Sequence, residues 1–290
     1  MRPKLETITL SVDGKTIAGI RQRDPNAVDA PKLLCVHGWL DNANSFVPMI
    51  PYLPAFDLVA IDLPGHGYSD ALPQGYTFHE LCYQLTRIVE ALEWDSCHLM
   101  GHSLGGCITP MLCVANPAIA ESLILIEASG PLSESAAKLP ERMAKSMQDR
   151  LNPARFQSRT FSTKDDAIKS RLKAAKMAPM SAKLIIDRQV KEIDSGYQWR
   201  FDPRWRESSS QYQTEEQVRA VLAAVGCKTL AVVGDEGFLA KRPETQQRLD
   251  CLTDGEVMIL PGNHHLHMDT PEPVAAAVNR FLGALPDMGG

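Results

Sequence analysis

The sequence predicts an α/β architecture: a mostly parallel sheet flanked on both faces by helices, with a helical segment inserted between two of its strands. Three observations predict it. Short apolar runs bounded by Pro and Gly alternate with amphipathic helical stretches, up to residue 128 and again after residue 212. Alternation of that kind builds parallel sheets covered by helices. The turn Gly101-His102-Ser103-Leu104-Gly105-Gly106 joins one apolar run directly to a helical stretch. Between Ser129 and Tyr212 the strand-like runs vanish, and Lys, Arg, Met and Ala predominate.

The elements follow in order. Residues 5–12 and 15–21 read as strands joined by Asp13-Gly14, a strong hairpin signal. Residues 32–36 and 57–62 are short β-branched or apolar runs, as buried parallel strands should be. Thr77 with Glu80 forms a capping box ahead of Leu81, Leu85, Ile88, Val89 and Leu92 at helical spacing. Residues 97–100 form the next strand, and the helix after Ser103 runs to Ala115, with a kink expected at Pro110. Residues 123–126 close this half as a strand. Leu139, Met143 and Met147 mark a helical patch in the inserted segment. A second capping box, Thr214 with Gln217, restarts the alternation ahead of Val218, Val221, Leu222 and Val225. Strands at 228–233 and 256–260 follow, with a helix around 243–251 between them and a last helix from Thr270-Pro271.

Composition bounds the function. The 290 residues are 44% hydrophobic and 22% charged, ordinary for a globular chain, and the net charge of −5 gives no global reason to expect a nucleic-acid partner. Residues 138–176 carry 11 Lys/Arg against 4 Asp/Glu. Solvated helix faces explain such a segment; a mouth attractive to anions is the sharper reading. The seven cysteines are scattered, without C-x-x-C or metal spacing, which fits reduced thiols in a cytoplasmic protein. No signal peptide and no membrane span are expected.

The turn at Ser103 is the chemical centre. A serine hydroxyl is a poor nucleophile until a strained strand-to-helix turn exposes its Oγ to a base and to oxyanion donors. Glycines two before and two after it permit that turn. The donors should be the backbone N–H of Leu104 and that of Trp39, in the loop after the strand ending at Val36. His37 in that loop reads as structural. The base should come from Pro261-Gly262-Asn263-His264-His265-Leu266-His267, a loop at the carboxyl ends of the strands. Glu127 ends a buried apolar strand, where a carboxylate needs a partner such as an imidazolium.

Residues 36–39, Asp62-Leu63-Pro64-Gly65-His66-Gly67-Tyr68-Ser69, residues 101–106 and residues 261–271 resemble, in order and spacing, the α/β-hydrolase superfamily over nearly the whole chain. Within it, His37-Gly38-Trp39-Leu40-Asp41-Asn42-Ala43 and Pro261-Gly262-Asn263-His264 are similar to the serine hydrolase-like group, relatives of epoxide hydrolases and haloalkane dehalogenases. The resemblance implies an α/β-hydrolase core at residues 1–128 and 213–290, and a helical cap at 129–212. It implies His264 as the base, because the catalytic histidine of such chains precedes a proline by seven residues, here Pro271. Epoxide hydrolases and dehalogenases carry aspartate at the nucleophile position, so Ser103 shifts the expectation towards esterases, lactonases, amidases and C–C bond hydrolases. The usual superfamily position for the acid falls on Gly237, which cannot serve. That leaves Glu127, where some haloalkane dehalogenases place their acid, as first choice, with Asp235 and then Glu236 as alternatives.

The expectation is a serine hydrolase that cleaves small to medium carboxylic esters through an acyl-enzyme. A C–C bond hydrolase or lactonase would use the same triad, and a non-catalytic binding protein would use the same scaffold. The expected partner is a small-molecule ester. No cofactor and no metal are expected, and a homodimer is left open. Met143, Met147, Met177 and Met180 would serve either as an adaptable apolar lining or as packing within the cap.

Overall fold

The computed structural model describes residues 4–23, 27, 29–53 and 56–283. The extreme ends of the expected core, 1–3 and 284–290, lie outside the described residues. The chain opens with β1 (Lys4–Val12) and β2 (Lys15–Arg23), paired antiparallel with Val12 opposite Lys15. Asp13 and Gly14 between them have φ of 48° and 73°, the left-handed pair that a two-residue hairpin turn requires. Then come β3 (Lys32–Val36), β4 (Asp57–Ile61), α1 (Phe78–Ala91), β5 (Cys97–His102), α2 (Leu104–Ala115) and β6 (Ala120–Ile126). The inserted segment holds α3 (Leu139–Leu151), β7 (Thr160–Phe161), α4 (Lys164–Ala174), α5 (Pro179–Gln189), β8 (Val190–Ile193) and β9 (Gly196–Trp199). The core resumes with α6 (Glu215–Ala223), β10 (Lys228–Gly234), α7 (Thr245–Leu249), β11 (Gly255–Leu260), α8 (Leu266–Asp269) and α9 (Pro271–Phe281).

Eight strands form one sheet in the order β1-β2-β4-β3-β5-β6-β10-β11. Every pairing from β4 onward is parallel, and β2, antiparallel to both of its neighbours β1 and β4, is the strand that runs against the rest. Alternation along a strand sends side chains to opposite layers. On β3, Leu34 and Val36 join the core beneath α1, α2 and α6, while Leu33 and Cys35 join the core beneath α9. All four are fully buried, which is why this strand reads as a continuous apolar run.

Helix starts follow their caps. Thr214 and Gln217 form the full reciprocal capping box. At α1 only half of the expected box exists: Thr77 accepts the Glu80 N–H, while the Glu80 carboxylate turns along the helix to accept from Gln84 at 3.0 Å. The helix after Ser103 is continuous through Pro110.

The inserted segment departs from expectation in one respect. It is not purely helical, because β7, β9 and β8 form a small antiparallel sheet. The β8–β9 hairpin closes at Ile193 opposite Gly196, whose φ is 120°. Phe161 and Val190 then pack with Ala167 and Ile186, and Tyr197 and Trp199 lie against them. The segment leaves and re-enters the core where Ser133 bridges Gln213. Among the described residues, no helix is long and apolar enough to cross a membrane.

Candidate active site

The site grows from the junction of β5 and α2. Ser103 holds φ 49° and ψ −110°, a conformation costly for a residue with a side chain and kept only where its surroundings over-determine it. They do so here. The Ser103 N–H donates to the Ile126 carbonyl at 3.0 Å, its carbonyl accepts from the Cys107 N–H at 3.0 Å, and Gly105 donates to the His37 carbonyl at 3.1 Å. A Cβ at Gly105 would strike the Val36 carbonyl, so the close approach of helix to strand needs glycine.

His264 lies between β11 and α8. Its Nε2 is 3.0 Å from Ser103 Oγ and its Nδ1 is 3.1 Å from Glu127 Oε2. Glu127, just past β6 with φ 50°, is fully enclosed. Its carboxylate accepts N–H groups from Gly234 (2.8 Å), Phe238 (2.7 Å) and Leu239 (3.4 Å) as well as facing the imidazole. That many donors is what a buried carboxylate requires. Gly237 leaves the room: a Cβ there would fall on the Glu127 carboxylate. The two alternative acids point elsewhere. Asp235 accepts the Gly262 N–H at 2.8 Å, and Glu236 pairs with Lys176 at the surface.

The turn after β3 faces the same serine-bearing helix start. Asp41 donates its N–H to the Gly38 carbonyl at 3.1 Å, closing a turn around Trp39 and Leu40. Among the described residues, the backbone N–H groups of Trp39 and Leu104 meet no protein acceptor. His37 is held on both sides. Its Nε2 accepts the Leu63 N–H at 2.9 Å, so Nδ1 carries the proton donated to the Gly38 carbonyl at 2.7 Å. Burial pushes this histidine below its ordinary value and keeps it neutral.

Comparison with known proteins agrees with this fold. Residues 31–271 match the family model described as the alpha/beta hydrolase fold. The chain belongs to this family. It is similar to a serine hydrolase-like protein of Danio rerio, 31% identical over 264 residues that cover 86% of this chain and 81% of the relative. It is similar also to the human serine hydrolase-like protein 2, 27% identical with 88% of each chain covered. Among solved structures, a hypothetical protein of Pseudomonas aeruginosa PAO1 superposes with a TM-score of 0.89 at 29% identity, covering 96% of this chain and 98% of that one. The thioesterase domain from the curacin biosynthetic pathway superposes with a TM-score of 0.80 at 25% identity, covering 95% and 99%. These relatives and the fold support a hydrolase activity.

Behind Ser103, His264 and Glu127 lies a buried ionic cluster that local sequence motifs do not reveal. The Asp41 carboxylate pairs with Arg171 of α4, and its Oδ2 stands 3.7 Å from both His102 Nδ1 and His265 Nε2. Burial alone would raise the Asp41 acid; Arg171, with His265 and His102, outweighs it and holds the group well below the usual carboxylate range. His102 donates from Nε2 to the His264 carbonyl at 2.9 Å. His267 is enclosed between the rings of His102 and Phe46, and burial, then neighbouring His265, pushes it down to about 3. Among the described residues no group of three or more His, Cys, Asp or Glu is arranged to hold a metal ion. A second buried pair, Arg188 on Asp62, has Nε 2.8 Å from each carboxylate oxygen and docks α5 on the end of β4.

Much of the positive charge of residues 138–176 is already matched. Arg142 pairs with Glu134, Lys145 and Arg155 with Asp149, Arg171 with Asp41, and Lys176 with Glu236. Of the four methionines, only Met177 is buried; Met143, Met147 and Met180 are exposed. Burial therefore sets Met177 apart from the other three.

Proposed function

We propose that the protein is a serine hydrolase that cleaves small to medium carboxylic esters through an acyl-enzyme. The observation that carries the reading is the continuous line from Ser103 Oγ through the His264 ring to the enclosed Glu127 carboxylate, at 3.0 and 3.1 Å. Ser103 gives its proton to His264 Nε2 as Oγ attacks the acyl carbon. Glu127, accepting from Nδ1–H, keeps the ring in the productive tautomer and stabilises the imidazolium that forms. The free Trp39 and Leu104 N–H groups receive the oxyanion. His264 then returns the proton to the leaving alcohol, and a water activated in the same way hydrolyses the acyl-enzyme. No step needs a cofactor or a metal.

A fluorophosphonate probe tests this directly. The expected result is a covalent adduct on the wild type that Ser103→Ala abolishes, with hydrolysis of nitrophenyl esters falling by roughly 10⁴-fold or more in that variant. No adduct on the wild type, or an equal adduct on Ser103→Ala, sinks the reading and leaves a binding protein on a hydrolase scaffold. A chain-length series of nitrophenyl esters run beside lactones and a vinylogous diketone separates the esterase from its lactonase and C–C hydrolase alternatives.

A further inference from the structure

The Asp41 carboxylate touches four segments at once. It belongs to the turn that carries the Trp39 N–H, it pairs with Arg171 from α4 of the inserted segment, and its Oδ2 is 3.7 Å from His102 and from His265. Its side chain is only 2% exposed, and that of Arg171 12%. His102 immediately precedes Ser103, and His265 immediately follows His264. Two parts of the proposed triad, and one of its oxyanion donors, therefore hang from residues gathered around one buried carboxylate.

The proton on His102 is fixed by its partner. A carbonyl can only accept, so the 2.9 Å contact with the His264 carbonyl places the proton on Nε2. Nδ1 is then bare, buried and, among the described residues, without a hydrogen-bond partner, and it faces Asp41 Oδ2. An unneutralised carboxylate in that position would draw a proton to Nδ1. The ring would become a cation or switch tautomer, and the switch would remove the bond that pins the His264 backbone. Arg171 supplies the neutralising charge. The other groups around the ring are His264, His265 and His267, with ring centroids 4.9, 5.4 and 4.1 Å away, and none of them carries a fixed charge.

We propose that Arg171 and Asp41 are a positioning pair: the inserted segment, through Arg171, holds His102 in the Nε2–H tautomer that anchors His264 against Ser103. This rests on the serine hydrolase reading above. A displacement of about 1 Å at the base costs on the order of 10²-fold in rate, which sets the scale of the effect.

The test uses the full-length protein and four enzymes: wild type, Arg171→Met, Arg171→Lys, and the double variant Arg171→Met/Asp41→Asn. Three readouts are taken: kcat and KM on nitrophenyl acetate, the rate of fluorophosphonate labelling per folded molecule, and the ¹⁵N shifts of the His102 ring. Arg171→Met is expected to lower kcat and labelling rate by roughly 10- to 100-fold with KM within about 3-fold, and to move the His102 ring away from the Nε2–H form. Arg171→Lys keeps the charge and should stay within about 5-fold of wild type. In the double variant an amide replaces the carboxylate and can donate to Nδ1, so activity should recover to within about 10-fold. Wild-type kcat in Arg171→Met, or a lost kcat with an unchanged His102 ring, overturns the proposal. Should Arg171→Met fail to fold, the double variant carries the test, since it buries no unpaired charge; if it folds but loses kcat more than about 100-fold, the proposal is wrong. A wild type that forms no serine adduct overturns the hydrolase reading instead, and the ring shifts then still report whether Arg171 sets the tautomer.

Discussion

Glu127 is fully enclosed and surrounded by donors, three backbone N–H groups and one imidazole. Replacing it by the isosteric amide keeps the shape but turns half of its acceptor pair into a donor facing those N–H groups. Glu127→Gln should therefore lower kcat on nitrophenyl acetate by up to about 10⁴-fold, the scale of losing the orienting acid of a triad. Asp235→Asn, whose carboxylate serves, among the described residues, only the Gly262 N–H, should stay within about 3-fold. Steady-state kinetics on the two variants decide the matter, and the reverse order would assign the acid to Asp235. The difficulty in reading this residue from sequence has a physical cause. Strands β6 and β10 are parallel neighbours in the sheet, so the loops after them emerge side by side at the same end, and both carry carboxylates. Spacing along the chain cannot choose between them. Ser103 and His264 are different, because each is marked by a local motif that names its own turn. Asp41 and Arg171 are the opposite extreme. The pair spans 130 residues, and nothing local distinguishes Arg171 from the ten other cations around it.

At the scale of elements, the central strands of the main sheet were legible because burial on both faces leaves a continuous apolar run, as on β3 and β4. The Asp13-Gly14 hairpin was legible because only a few residue pairs tolerate its backbone. The small sheet of the inserted segment was not. Its strands are two to four residues long, too short for alternation to register against a charged background. Nor does local sequence say how that segment docks. Part of the docking is carried by α5: Arg188 lies on Asp62, and Asn42 donates to the Ile185 carbonyl at 2.9 Å and to Gln189 at 3.2 Å. Asp62 is fully buried, and it also accepts the Ala43 and Tyr68 N–H groups at 2.9 Å each. Removing its cation strands a buried negative charge. Arg188→Met should therefore cost roughly 3–5 kcal/mol in urea unfolding at neutral pH, with Arg188→Lys losing less. An unchanged urea midpoint in Arg188→Met would show that α5 is held without this ion pair.

The whole molecule carries a pH dependence that no single site explains. His37, His66, His102 and His267 are all fully buried, and burial is the main cause that lowers each of them below the ordinary histidine value. They fold neutral. The unfolded chain, by contrast, binds a proton at each near pH 6.5. Below that pH the unfolded state holds more protons than the folded one, so acid favours unfolding. The stabilisation is full above about pH 7 and is lost as pH falls; for His267 the window closes only at about 3. Each histidine contributes at most about 1.4 kcal/mol per pH unit, so four acting together approach roughly 5 kcal/mol per unit, comparable with the whole stability of an ordinary domain. Carboxylates add to the same trend lower down. Burial opposes ionisation of Asp41 but Arg171 and its histidine neighbours override it, while Arg248 holds Glu215 at about 2. Urea unfolding at intervals from pH 8 to pH 4.5 should thus give a plateau above neutrality and a steep decline beneath it. His267 offers the control. Among the described residues neither of its ring nitrogens has a partner, so His267→Leu orphans none of their polar groups and should flatten the decline by about one proton. A stability that stays level from pH 7.5 to pH 5, or a slope unaltered in His267→Leu, would mean that these histidines take up their protons without unfolding the chain.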